Sequence, residues 1–199
     1  MKRKIHLSIC FGLICAVLCS MSHFSAACDD LRQNVLRLHI IANSDSDADQ
    51  QLKLKIRDEI LRETDGLFEN SKNLQEAQNT VCDNLKFFEE VANEVIAENG
   101  FDYTATASFG TSEFSTRYYD DFTLPAGEYQ SLIITLGEAK GKNWWCVVYP
   151  TVCISAATKG DLKDTVKAES AQIAKGGKRY VMRFKTVEIY EKIKNYINR

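Results

Sequence analysis

The stretch "VANEVIAENGFDYTATASFG", residues 91–110, contains the change of hydrophobic period that decides the fold class. Before Gly100, apolar side chains recur every three or four residues, which is typical of a helix with one buried face. After Gly100, apolar and polar side chains alternate, which is typical of a strand. Because glycine favours the position just after a helix, the sequence predicts a helix over residues 73–98 and strands after it.

A strand and a helix precede this stretch, and further strands follow it. Residues 35–43, "VLRLHIIAN", alternate so that Arg37 and His39 lie on the face opposite the apolar side chains. Ser46 and the acidic residues around it are typical of a helix start, and a helix over residues 47–63 is expected. After Gly100 four strand-like segments follow, joined by short connections: "YTATASFG", "EFSTRYY", "EYQSLIITLG" and "NWWCVVY".

The predicted fold class is α+β. Connections this short cannot make parallel crossovers, so we expect an antiparallel sheet of about five strands. Two long helices are expected on one face of the sheet, because neither can bury its apolar side alone. A short strand passing into a C-terminal helix is expected at the end of the chain. Since no repeat or Pro-rich linker occurs, residues 28–199 are expected to form a single domain.

Residues 1–27 have the composition of a signal peptide. A basic segment, residues 2–4, precedes an apolar run, and small residues stand just before Cys28. The sequence therefore predicts a secreted, extracytoplasmic protein, with this segment cleaved after Ala27 or kept as an anchor. Lipidation of Cys28 is a further interpretation, although Ser25 stands where lipoprotein signals favour leucine.

Charge is balanced over the chain but not along it. The 199 residues carry a formal net charge of −2, so no nucleic-acid partner is expected. Residues 175–199, in contrast, contain eight basic and two acidic side chains. A solvated helix face is the common explanation of such a run. Peripheral membrane contact through this basic C-terminal helix, or an acidic partner, is the alternative.

The usual catalytic and metal-binding motifs are missing from the sequence. It contains no nucleophile elbow, no phosphate loop and no H-E-x-x-H, and His39 is the one histidine after residue 27. Residues 45–49 alternate like a calcium loop, but the required glycine and glutamate positions hold Gln50 and Ile56, so helix capping explains them better. The prediction is a protein that is not an enzyme, without catalytic residues, metal or cofactor.

The segment "GKNWWCVVYPTVC", residues 141–153, predicts a hairpin. In a tight turn with a cis bond before Pro150, Cys146 falls opposite Cys153, close enough for a disulfide; a wider loop is equally compatible. We favour the disulfide over two buried free thiols. Redox or metal roles are less expected, because the spacing differs from that of C-x-x-C motifs.

Two adjacent tryptophans precede these cysteines. Neighbouring side chains of a strand point to opposite faces, so Trp144 and Trp145 cannot both enter the core. A tryptophan on the face away from the helices is costly to expose unless something covers it. The segment therefore suggests a binding surface.

Three segments together resemble the stage II sporulation protein R family of endospore-forming bacteria: "LRLHIIANSDSDADQQLKLKIRDEI", "STRYYDDFTLPAGEYQSLIITLGEAKGKNWWCVVYPTVC" and "MRFKTVEIYEKI". The resemblance implies a signalling protein made in the forespore and exported into the space between the forespore and mother-cell membranes. It further implies that the partner is a membrane-embedded aspartic protease of the mother cell, which is activated to process the sigma-E precursor.

Candidate partner-binding residues follow from residue type, since arginine and aromatic side chains on strands are common interface anchors. They are Arg117, Tyr119, Trp144 and Trp145. The alternative function is an envelope carbohydrate-binding domain or hydrolase, in which a tryptophan stacks on a sugar and loop carboxylates act. Those carboxylates are Glu113, Asp120, Asp121 and Glu128.

Overall fold

The computed structural model describes residues 2–64, 66–68, 70–119, 122–150, 165–176 and 180–197. The chain divides into two compact units, and each is described by itself. The first comprises Met1–Arg32, Ser115–Gly127 and Val166–Arg199, and the second Gln33–Phe114 and Glu128–Thr165. The expected signal segment over residues 1–27 and single domain over residues 28–199 stay predictions.

Helices and strands alternate irregularly along the described residues. The helices are α1 (Lys2–Gln33), α2 (Asp47–Glu63), α3 (Leu74–Asp83), α4 (Leu85–Glu98), α5 (Ala168–Lys175) and α6 (Val181–Ile197). The strands are β1 (Leu36–Ile41), β2 (Ala105–Phe114), β3 (Arg117–Tyr118), β4 (Thr123–Leu124), β5 (Gly127–Leu136) and β6 (Asn143–Tyr149). The α+β class is confirmed.

Among the described residues, the sheet of the second unit is mixed and has four strands, in the order β2-β5-β1-β6. β1 pairs parallel with β5, where Leu38 lies opposite Leu132, and antiparallel with β6, where Leu38 lies opposite Cys146. The predicted purely antiparallel arrangement is therefore wrong, and the predicted number of about five strands is not confirmed. β5 and β6 are joined by a short loop but are not neighbours, because β1 lies between them. The long connection through α2, α3 and α4 permits the parallel pair.

Helices α2, α3 and α4 contribute to one hydrophobic core with the sheet. Leu36, Leu38 and Ile40 of β1 are fully buried in this core. The predicted α2 is confirmed, including its N-cap: the Ser46 hydroxyl accepts a hydrogen bond from the Asp49 amide. The single helix predicted over residues 73–98 is instead two helices that meet at Asn84. Apolar spacing continues across the break, so the hydrophobic pattern did not reveal it.

The first unit contains most of α1, with β3, β4, α5 and α6. Phe24, Ala27 and Cys28 of α1 form an apolar cluster with Ile173 and Phe184. No helix in the described part of the chain combines the length and the apolar character needed to cross a membrane.

Two strand predictions fail near the first unit. The predicted strand "EFSTRYY" is divided, because its first two residues end β2 and Arg117–Tyr118 pairs with Thr123–Leu124 in a separate two-stranded sheet. The C-terminal helix is confirmed as α6, but the strand expected before it is absent from the described residues, since Val181 already begins the helix.

Candidate functional site

The face of the main sheet opposite its helices carries a cluster of aromatic rings around a buried arginine. β1 directs Arg37 and His39 to this face, as the alternation of its sequence predicts. Arg37 is fully buried, and its guanidinium carbon lies 3.9 Å from the ring centroid of Phe114 and 4.9 Å from that of Tyr129. Its Nε donates a hydrogen bond to the Cys146 carbonyl at 3.0 Å. Cation–π contacts of this kind are strongest when they are desolvated.

Trp145 extends the cluster from β6. It lies opposite His39 in the strand register, and the two rings are stacked with centroids 3.9 Å apart. The same indole meets the Phe114 ring edge to face at 4.6 Å. Because His39 and Phe114 hold the half-buried indole at a fixed angle, Trp145 is a preorganised aromatic surface residue. We call Arg37, His39, Phe114, Tyr129 and Trp145 the sheet-face cluster.

Trp144 points the other way. It packs against the hydrophobic core on the helical side, and the guanidinium carbon of Arg57 lies 4.4 Å from its ring centroid. The prediction that the two tryptophans occupy opposite faces is confirmed. Trp144 therefore joins the helices to the sheet, whereas Trp145 belongs to the sheet-face cluster.

The environment of His39 favours its neutral form. Burial lowers its pKa, and a hydrogen bond with Asn143 opposes that shift only in part. Its Nδ1 lies 3.2 Å from the Ser112 hydroxyl, which is buried beside it. The positive charge of the sheet-face cluster therefore comes from Arg37, and the imidazole acts as a neutral stacking partner of Trp145.

The other two candidate anchors belong to the first unit. Arg117 is half-buried in β3, and the Tyr119 ring is stacked on Phe122 with centroids 4.6 Å apart. The structure thus brings Trp145 together with His39 and Phe114, but it does not gather Arg117, Tyr119 and the tryptophans within one unit.

The predicted disulfide lies partly outside the described residues. Cys146 is buried in the core of the second unit, whereas Cys153 falls among residues that the structure does not describe. The Cys146–Cys153 bond therefore stays a prediction. The Tyr149–Pro150 peptide bond is cis, as the tight-turn alternative requires. In the first unit, burial raises the pKa of the Cys28 thiol to about 12.

Sequence reasoning missed a polar network at the end of β1, which we call the Asp49 network. Asp49 is 4% exposed, and its carboxylate accepts hydrogen bonds from Asn43 at 3.0 Å, from Ser44, and from the Tyr103 hydroxyl at 2.6 Å. Burial by itself raises the pKa of Asp49, but these hydrogen bonds outweigh it and hold the pKa below its ordinary value. The alternating acids of residues 45–49 are the available signal, but helix capping explains only part of their role.

The same network holds the loop between β5 and β6. The Asn43 amide oxygen accepts a hydrogen bond from the Glu138 amide at 2.9 Å, and the Asp45 carboxylate accepts one from the Lys142 amide at 2.7 Å. Lys53 of α2 is buried and donates to the Lys142 carbonyl at 2.9 Å. These bonds fix the loop that leads directly into Trp144 and Trp145.

The described residues contain no group of three or more histidine, cysteine, aspartate or glutamate side chains that could hold a metal ion. Of the carboxylates in the carbohydrate alternative, Glu113 and Glu128 are exposed, and Asp120 and Asp121 lie outside the described residues. The arrangement in the second unit is suited to recognition, because the Trp145 indole is held by His39 and Phe114, and Phe114 is itself held by the buried Arg37 guanidinium.

These features define a small α+β protein whose sheet carries an aromatic and guanidinium cluster opposite its helices. The sequence model of stage II sporulation protein R matches residues 32–159, which span the whole of the main sheet. The chain belongs to the stage II sporulation protein R family, and this membership gives it a role in sporulation.

One curated relative is the stage II sporulation protein R of Bacillus subtilis (strain 168). It is 36% identical over 126 residues, which are 63% of this chain and 56% of the relative. The chain thus spans little more than half of the length of that relative. No solved structure matches the chain.

Proposed function

We propose that this chain is an exported sporulation signal that activates a membrane-embedded aspartic protease in the mother cell. The protease then processes the precursor of sigma-E. The observation that carries the proposal is the family match over residues 32–159, which includes the sheet-face cluster. The partner is a protein, and the signal acts by binding rather than by its own chemistry.

Activation by binding sets a thermodynamic requirement. The signal must bind the active state of the protease more tightly than the inactive state, because equal affinity would not shift the equilibrium between them. A preorganised surface favours this, since little side-chain entropy is lost on binding. Trp145 has such a surface, because His39 stacks on its ring at 3.9 Å and Phe114 meets it at 4.6 Å.

The test is sigma-E precursor processing in a sporulating strain that lacks this gene. We expect the wild-type gene to restore processing, and Trp145→Ala to reduce it by at least about tenfold, the loss typical of an aromatic anchor. Trp145→Phe keeps a ring on His39 and should retain part of the activity. Tyr118→Ala is the matched control, because Tyr118 is an exposed aromatic residue outside the sheet-face cluster.

Immunoblots of protein level and export accompany each strain, so that loss of folding is distinguished from loss of activation. Full processing by Trp145→Ala at equal protein level would show that the sheet-face cluster is not the activating surface. A strain that processes the precursor without the gene would overturn the proposed role. Purified protease and precursor give the direct test, since cleavage at full rate without this protein would contradict activation by binding.

A further inference from the structure

Helix α6 has a buried side and an apolar exposed side. Phe184 is fully buried, and its ring meets Phe24 of α1 edge to face with centroids 5.1 Å apart. On another side of the helix, large apolar side chains are exposed at spacings of three, four and seven residues. They are Met182, Ile189, Tyr190, Ile193, Tyr196 and Ile197, which we call the α6 stripe.

The α6 stripe is larger than the usual scatter of apolar surface residues, although exposed Thr186 interrupts it between Met182 and Ile189. It runs the length of the helix, about four turns, and Met182 and Tyr196 near its ends are 80% and 84% exposed. Single exposed apolar residues need no explanation, but a large group of them marks a surface that binds a protein or a membrane.

Cations border the stripe on both sides. At about 100° per residue, Lys185 and Lys192 fall along one edge, and Arg183 and Lys194 fall along the other. All four side chains are exposed. The two acidic residues of the helix lie away from the stripe: Glu191 is buried, and Glu188 is half-buried, where it accepts hydrogen bonds from Lys185 and Lys192.

A groove continues the apolar surface from α6 to α1. Its volume is about 300 Å³, and its lining includes Met21 and Phe24 of α1 with Val187 and Tyr190 of α6. Because Tyr190 belongs to both the groove and the stripe, the exposed apolar surface of the first unit extends across two helices.

We propose that α6 docks on the surface of an anionic lipid bilayer. The α6 stripe lies at the boundary between headgroups and acyl chains, while the three flanking lysines and Arg183 reach the lipid phosphates. Cations on both edges favour this occupant over a partner helix, because helix pairs usually carry both signs of charge along their edges. Tyrosine is also well suited to this boundary, since its ring is apolar and its hydroxyl remains hydrated.

The test places a reporter on the stripe of the full chain. Tyr196→Trp is mixed with vesicles of phosphatidylcholine and brominated phosphatidylglycerol, and the emission of the unsubstituted chain is subtracted. We expect bromine to quench the added indole. Tyr118→Trp is the matched reporter, because Tyr118 is also exposed but lies on β3, and it should not be quenched. In the Tyr196→Trp chain, adding Ile189→Gln and Ile193→Gln should weaken vesicle binding by at least about tenfold, since the buried apolar area is lost.

The role of charge has its own pair of variants. Lys185→Gln with Lys192→Gln should weaken binding to phosphatidylglycerol vesicles by about fivefold for each lysine. Lys72→Gln with Lys86→Gln makes the same change in net charge on exposed lysines of the other unit and should leave binding nearly unchanged. Pure phosphatidylcholine vesicles should bind all variants weakly. Circular dichroism checks that α6 remains helical in each variant.

Three results would overturn the proposal. The first is quenching that persists in the isoleucine double variant, because another element would then hold the chain on the vesicle. The second is an equal loss of binding in the two lysine pairs, which would indicate net charge alone. The third is unchanged vesicle binding together with lost sigma-E processing in the isoleucine variant, which would show that the stripe binds a protein and not lipid. The vesicle assay contains no sporulation component, so its failure leaves the proposed function standing.

Discussion

His39 is the titratable residue of the sheet-face cluster, and its charge depends on the fold. Its imidazole is partly buried between Trp145 and Ser112, and burial lowers its pKa from 6.5. Below pH 6.5 the unfolded chain therefore binds a proton at this position more readily than the folded chain does. Stability is full above pH 6.5 and falls as the pH drops towards the lowered pKa.

We expect His39→Gln to remove part of this pH dependence. In the unsubstituted protein, His39 contributes a slope of at most about 1.4 kcal/mol per pH unit to the free energy of unfolding below pH 6.5. Urea unfolding at a series of pH values measures the slope. His6→Gln, which changes an exposed histidine of α1, is the control. An identical slope in His39→Gln and in the unsubstituted protein would show that His39 is not responsible.

For this protein, the sequence predicts which face of the sheet a side chain occupies better than it predicts which side chains it contacts. The period of two correctly placed Arg37 and His39 on one face and separated Trp144 from Trp145. It did not reveal that Arg37 meets Phe114 and Tyr129, because these three residues come from three different strands. Local alternation fixes the face of a side chain, whereas its neighbours depend on strand order.

At the scale of the elements, the loop between β5 and β6 is held against the end of β1. The Gly141 amide donates to the Ala42 carbonyl at 2.9 Å, and a Cβ on Gly141 would collide with the backbone carbonyl of Ser44. This close approach explains how a short loop spans the end of β1 to connect the strands on its two sides. The composition of the loop predicted a turn, but it did not predict that another strand lies beneath it.

Gly141→Ala should destabilise the second unit by about 2 kcal/mol, because backbone atoms must shift to admit the methyl group. Gly110→Ala is the matched control, since its Cβ would meet only Ile133 Cδ1 at an ordinary 3.7 Å. Urea unfolding of both variants gives the comparison. Equal stabilities of the two variants would mean that the loop does not depend on the close approach to Ser44.

At the scale of the whole molecule, the N-terminal segment is predicted to be a signal peptide and is observed to pack against α6. Cleavage of the segment would affect that packing. The segment has the composition of a signal peptide, yet Phe24 and Ala27 are buried in the cluster that holds α6. Cleavage after Ala27 would remove both residues and leave Phe184 without the ring that lies 5.1 Å from it. Composition predicted the signal segment, but it gave no indication of this packing, since the cluster forms with residues far along the chain.

A chain that begins at Cys28 should therefore hold α6 less firmly than the full chain. Loss of a buried phenylalanine costs about 3 kcal/mol or more, so amide hydrogen exchange in α6 should become faster by about two powers of ten. Exchange in α4, which belongs to the second unit, serves as the internal control. Unchanged exchange in α6 would show that Phe24 and Ala27 do not stabilise it. Mass spectrometry of the N-terminus of the protein isolated from sporulating cells identifies which form occurs.

The position of β1 also determines when the sheet can form. The central strand is made early and its two neighbours late: Arg37 and Cys146, which are hydrogen-bonded across β1 and β6, are 109 positions apart in the chain. Pairing over such a separation is slow, because the conformational entropy of the intervening chain is lost before the strand contacts form. The four-stranded sheet of the described residues therefore cannot close until β6 has been synthesised. A translocation channel that accepts only extended polypeptide can thread such a chain before its sheet closes.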